Sequence, residues 1–103
     1  MPKIANINLE NNLILAPMLG VNCNAFRLLC KNHGASLVST PMIHPDSIFN
    51  QKDKDDIIKQ EKPISAQIVG KDPEKMSRAA IILEEKADII DINLGCPDKD
   101  VLA

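Results

Sequence analysis

The stretch IIDINLGCPD, residues 89–98, is an apolar run that ends on an Asn, a Gly, a Cys and a Pro. A thiol presented there sits at a point suited to chemistry. Gly allows a ligand to approach the backbone closely, and Pro stiffens the turn around it. Taken alone, a cysteine such as Cys96 is more often an inert buried thiol than a catalyst. Gln67 raises a second question, because it lies inside the otherwise apolar run PISAQIV. It either points outward at a strand edge or is buried and must find partners. A planar heterocycle with donor and acceptor edges would supply them. Two further apolar runs stop on similar punctuation, at Pro17-Met18-Leu19-Gly20 and at Thr40-Pro41-Met42. Pro17 and Met18 read equally as a strand terminator and a core residue, and Asn93 as a turn former.

The remaining chemistry-bearing residues exclude several classes. Neither G-x-G-x-x-G nor G-x-x-x-x-G-K-[ST] occurs, so neither nucleotide fingerprint applies. His33 and His44 lack metal-ligand spacing with any Cys or carboxylate, and no metal is expected. Cys23, Cys30 and Cys96 form an odd set without C-x-x-C spacing, which reads as free thiols in a reducing cytoplasm. A net charge of −2 gives no global attraction to nucleic acid, and two Phe with no Trp or Tyr leave no base-stacking platform. The N-terminus MPKIANINLENN lacks the apolar core of a signal peptide, and no run approaches the ~20 residues of a membrane helix. A soluble cytoplasmic protein without membrane contact is expected.

The elements that must position these residues follow from pattern. KIANINLENNLILAPM alternates, turns at Glu10–Asn12 on an Asn-Asn signal and resumes at Leu13–Ala16, a hairpin leading into a buried strand. In NCNAFRLLCKNHG, Asn22 or Asn24 caps a helix with an apolar face of Phe26, Leu29 and Cys30, and Gly34 stops it. ASLVST gives a short strand, and PDSIFN one helical turn. KDKDDIIKQEK reads as a solvated surface, because its charges alternate and cancel. After the strand PISAQIV, KDPEKMSRAAIILEEKA is the clearest helix. Asp72 caps it, Pro73 follows, and Met76, Ala79, Ala80, Leu83 and Ala87 form its apolar stripe. DIIDINL is the last strand. Strands alternating with helices imply crossover connections and a parallel sheet, whose chemistry gathers at the C-terminal strand ends.

Those strand ends resemble the tRNA-dihydrouridine synthases, flavin enzymes built on a (β/α)8 barrel. The matching stretches are LAPMLGVNCNAFRLLC, similar to A-P-M-x-G-V-(T/N)-D-x-x-F-R, then EKPISAQIVG, and finally ADIIDINLGCP with the D-I-N-x-G-C-P signature. The resemblance implies reduction of uridine to 5,6-dihydrouridine in tRNA with FMN as cofactor and NADPH or NADH as reductant. It implies that Pro17, Met18 and Leu19 run along the flavin ring and that Gln67 bonds the ring edge. It places Asn93 at the target uracil, Cys96 as the general acid, and Arg27 with either the substrate or the scaffold. A thiol of pKa near ~8.5 is mostly protonated at neutral pH, as a general acid requires.

Two motif positions depart from the family: Cys23 stands where Asp is usual, and Pro41 where an acidic residue commonly precedes Met. The larger departure is length. An eight-stranded barrel takes ~250 residues, and 103 residues reach only its fourth strand. The expectation is one domain, residues 1–103, forming the N-terminal half of a TIM barrel preceded by a hairpin. The later strands, their flavin contacts and phosphate loops, and a helical RNA-binding domain would lie beyond Ala103. Such a fragment should bind flavin weakly unless self-association or a second chain completes the barrel. The rival readings are a dihydroorotate-dehydrogenase-like flavin barrel, against which APM…FR argues, and an inactive fragment serving as an interaction module.

Overall fold

The N-terminus departs first from the sequence reading. In the computed structural model, which describes residues 1–50 and 56–95, β1 (Lys3–Ile4) and β2 (Ile7–Asn8) form an antiparallel hairpin. Lys3 faces Asn8 and Ile4 faces Ile7, so the turn is at Ala5 and Asn6 rather than at the Asn-Asn pair. Ala5 takes a φ of 50° there, the left-handed conformation that short hairpin loops need to match strand twist. Asn11 has another task. Its Oδ1 accepts from the Leu13 N–H at 2.8 Å and its Nδ2 donates to the Gly34 carbonyl at 2.8 Å, anchoring the chain as it enters the sheet.

The sheet is parallel and its strands lie side by side in chain order: β3 (Val38–Ser39), β4 (Ile64–Ile68) and β5 (Ile89–Ile92). On the free side of β3, Ile14 bridges Leu37 in parallel, supported by the Leu15 N–H on the Leu37 carbonyl at 3.0 Å. A doubly wound sheet would reverse its order partway across; this one does not. The expected first strand is reduced to that bridge, and it is not buried: Leu13 and Ile14 are 62% and 49% exposed. Hydrogen-bonded on one side only, it forms an open edge.

Helices cover one face. α1 spans Asn24–Asn32, α2 Pro45–Phe49 and α3 Pro73–Leu83, with a 3₁₀ turn at Lys59–Glu61. α3 follows its sequence pattern: the Asp72 carboxylate accepts from the Glu74 and Lys75 N–H groups, and Ala79 and Leu83 are buried. The Arg78 guanidinium stacks 4.4 Å above the Phe49 ring, joining α3 to α2. α1 does not follow its pattern. Neither Asn caps it; Cys23 holds the N-cap position without a side-chain bond. Leu29 is exposed, and the buried side chain of α1 is Arg27.

Period-two alternation along β4 divides the molecule. Ile64, Ala66 and Ile68 enter the core with Val38, Ile43, Ile48, Ile57 and Leu83, while Ser65 and Gln67 face the opposite side. The segment 56–62 corrects the reading of a solvated charge run. Lys59, Gln60 and Lys62 are exposed, but Ile57 and Glu61 are buried; residues 52–55 lie outside the described residues. Among those described, no helix is long and apolar enough to cross a membrane, and no cluster of His, Cys, Asp or Glu could hold a metal ion.

Candidate functional site at the strand ends

The face of the sheet away from the helices is an open groove of about 510 Å³. Its lining includes Ile14, Ala16, Pro17, Leu37, Ile89 and Asp91. Register explains the shape of the floor. Ser39 pairs with Ser65 and Ser65 with Ile89, so two small hydroxyl side chains lie side by side at its centre. One row nearer the strand ends, Gln67 pairs with Asp91.

Gln67 is 9% exposed and is buried rather than turned outward at an edge. Its Nε2 donates to Asp91 Oδ2 at 2.6 Å, and its Oε1 accepts from Asn93 Nδ2 at 3.1 Å. Asn93 Oδ1 in turn accepts from the Gly95 N–H at 3.0 Å, an Asx-type turn. Asn93 is thus a turn former and a partner of Gln67 at once. The main chain is held as well, since the Gln67 N–H donates to Thr40 Oγ1 at 3.0 Å and that hydroxyl donates to the Pro41 carbonyl at 2.8 Å. Each amide side chain keeps one N–H and one lone pair uncommitted by these bonds, because an amide offers two of each.

Pro17 is half-buried beside the groove, and Met18 and Leu19 are 38% and 53% exposed. The Met18 carbonyl accepts from the Val21 and Asn22 N–H groups, both at 3.2 Å. Gly20 has φ 79° at the third position of that turn, where a left-handed conformation favours glycine. Asn22 fastens the turn to the sheet: its Nδ2 donates to the Ala16 carbonyl at 2.7 Å and the Ser39 carbonyl at 2.9 Å. Asn22 Oδ1 is buried without a partner among the described residues.

Arg27 is not at the groove. It is 0% exposed and its guanidinium is used up on protein acceptors. Nε donates to Glu61, Nη1 to the Asn22 carbonyl, and Nη2 to the Asp56 carbonyl and carboxylate at 2.9 and 3.0 Å. Of its two expected roles, this placement is that of the scaffold, with the guanidinium buried among protein acceptors. Cys96, the expected acid, and Pro97 lie outside the described residues. Reading the sequence gave no role to Asp91, Thr40 or Glu61. Asp91 left a signal, a charge inside an apolar strand beside the polar Gln67. Glu61 left none, being one acid in a run of charges.

Comparison with known proteins gives the class. A family model described as Dihydrouridine synthase (Dus) matches residues 14–103, and the chain belongs to that family. It is 44% identical to a protein named tRNA-dihydrouridine synthase B from Vibrio parahaemolyticus, over 96% of this chain and 32% of that protein. Proteins of the same name from Pseudomonas putida and Escherichia coli are 43% and 39% identical, again over 96% of this chain. The chain therefore spans about a third of the length of these relatives.

Proposed function

We propose that this chain is the N-terminal part of a (β/α)8 barrel that reduces uridine to 5,6-dihydrouridine in tRNA, working in the cytoplasm with FMN and a reduced nicotinamide, NADPH or NADH. The observation that carries the reading is the hydrogen-bonded pair Gln67–Asn93 at adjacent strand ends above an apolar groove with a small-residue floor. The residues at and beside the groove fit a flavin: Pro17 lines the groove; Pro17, Met18 and Leu19 would lie along the ring, and the uncommitted N–H and lone pair of Gln67 suit a heterocycle edge. Bound flavin supplies the hydride that reduces the uracil double bond at C6. The chain's own part is to hold the base and deliver a proton. Asn93 presents its remaining amide donor and acceptor to uracil, and the Cys96 thiol gives its proton to C5, leaving a thiolate that solvent reprotonates. A thiol suits this step because it is protonated at neutral pH yet acidic enough to transfer. Reaching C5 requires the base to leave the RNA stack, as for other base-modifying enzymes.

The test is Cys96→Ala in the full-length protein, with dihydrouridine in tRNA and bound FMN measured together. Loss of a general acid typically costs about 10²- to 10⁴-fold in rate, with FMN retained. Full activity of the variant would remove Cys96 from the chemistry. An absence of FMN from the wild-type protein would remove the flavin reading altogether.

A further inference from the structure

Four groups at the C-terminal ends of β4 and β5 form one hydrogen-bonded line, which meets the groove at Asp91: Gly95 N–H to Asn93 Oδ1, Asn93 Nδ2 to Gln67 Oε1, and Gln67 Nε2 to Asp91 Oδ2. Its two ends are chemically unlike its middle. A backbone N–H can only donate and a carboxylate can only accept, whereas a side-chain amide turned by 180° exchanges donor for acceptor at almost no steric cost. With a pure donor at one end and a pure acceptor at the other, just one orientation of both amides satisfies every bond. Turning Gln67 over would set its Oε1 against the Asp91 carboxylate and its Nε2 against the Asn93 Nδ2.

We propose that Asp91 is a positioning residue: it locks the amide polarity of Gln67 from the carboxylate end of the line, as the Gly95 N–H does through Asn93 from the other, so that these strand ends offer one donor–acceptor pattern to the ring edge they bind. This rests on the flavin reading above, and it concerns a residue that takes no part in the reaction itself. The 2.6 Å contact to a carboxylate is the strongest of the three bonds by length and charge. The pairing of Gln67 with Asp91 in the β4–β5 ladder puts the carboxylate there by strand register rather than by loop placement.

The experiment uses the full-length protein with Asp91→Leu, which removes the acceptor at similar volume, and Asp91→Asn, whose Oδ1 can still accept from Gln67. Two readouts are taken. The first needs no ligand: the side-chain NH₂ protons of Gln67, followed by nuclear magnetic resonance, should be protected from solvent exchange in the wild type and in Asp91→Asn, and should lose that protection in Asp91→Leu. The second is FMN affinity by fluorescence quenching, about tenfold weaker in Asp91→Leu and within about threefold of wild type in Asp91→Asn. An unprotected Gln67 amide in the wild type overturns the proposal, as does Asp91→Leu binding FMN normally. Equal losses in both variants would make the charge, not the bond, the active feature, and also overturn it. If the amide is held but the wild type binds no FMN, the flavin reading fails while the orientation of Gln67 stands.

Discussion

The Arg27 cluster and the Gln67 line are both polar networks built from neighbouring β/α units, and they differ in what they leave unsatisfied. Arg27 and Glu61 are each 0% exposed. The guanidinium meets four acceptor groups, and Glu61 also takes the Ile58 N–H at 2.7 Å. The Asp56 carboxylate, 38% exposed, is the rim of that cluster, and the Arg27–Glu61 pair within it is closed to solvent. Gln67 and Asn93 use half of their amide capacity on each other and their neighbours, and the other half is uncommitted at strand ends whose Asp91 lines the groove. A closed network fixes a loop to a helix; a half-closed one has fixed direction and spare valence, which is what a binding site needs. The contrast separates scaffold from site more surely than residue type does, since an arginine would ordinarily be the first suspect for an RNA enzyme.

The largest effect expected from breaking this contrast is at the closed network. Arg27→Met alone strands the buried Glu61 charge and should lower unfolding free energy by about 3–5 kcal/mol; Glu61→Leu, which leaves Arg27 its Asp56 partner, should cost less. The double variant should recover most of the loss, because neither charge is then left unpaired. Denaturant unfolding of the full-length protein measures all three. Single losses below about 1 kcal/mol would mean that the cluster is solvated, and the distinction between the two networks would fall.

What the sequence made legible follows the same division. α3 could be read because its stripe, its Asp72 cap and Pro73 all act locally, within one turn of helix. β4 and β5 were legible as apolar runs between breakers, and α2 as one helical turn. The hairpin turn was misplaced because the Asn-Asn pair is a strong local signal, here diverted to the Gly34 carbonyl 23 residues away. The polarity of α1 was misread for a related reason. Asn22 looks like a cap and Arg27 leaves its role open between substrate and scaffold, and their partners, Ser39 and Glu61, lie 17 and 34 residues along the chain. At the site, Gln67 and Asn93 were visible as polar residues at strand ends, but the bond between them depends on strand register, which no local pattern encodes.

Asn22 belongs to both regions, and a smaller change there sharpens the comparison. Its carbonyl accepts from Arg27 Nη1, while its Nδ2 ties Ala16 to Ser39 at the groove. Asn22→Leu leaves those two carbonyls without their donor and should cost roughly 1–3 kcal/mol. Asn22→Asp should cost more at neutral pH, since it turns a carboxylate toward two carbonyl oxygens. FMN affinity should fall in both variants, because the Pro17–Met18 turn loses its fastening, and isothermal titration would show it. Stability loss with unchanged affinity would place Asn22 wholly with the scaffold.

The smallest expected effect serves as the reference for the others. Asp72 caps α3 on the outer layer, accepting from the Glu74 and Lys75 N–H groups at 2.9 and 3.4 Å, and it touches neither network. Asp72→Ala should cost about 1 kcal/mol of stability, read as a fall in thermal midpoint, and leave FMN affinity unchanged. The reason is geometric: α3 packs through Ala79 and Leu83 on the core face of β4, and the groove residue Ser65 and, beyond it, Gln67 point the other way. If fraying of the first turn of α3 weakened FMN binding as much as Asp91→Leu does, ligand affinity would be following overall stability. The half-closed line would then lose its claim to a separate role, and the contrast with the Arg27 cluster would be one of burial alone.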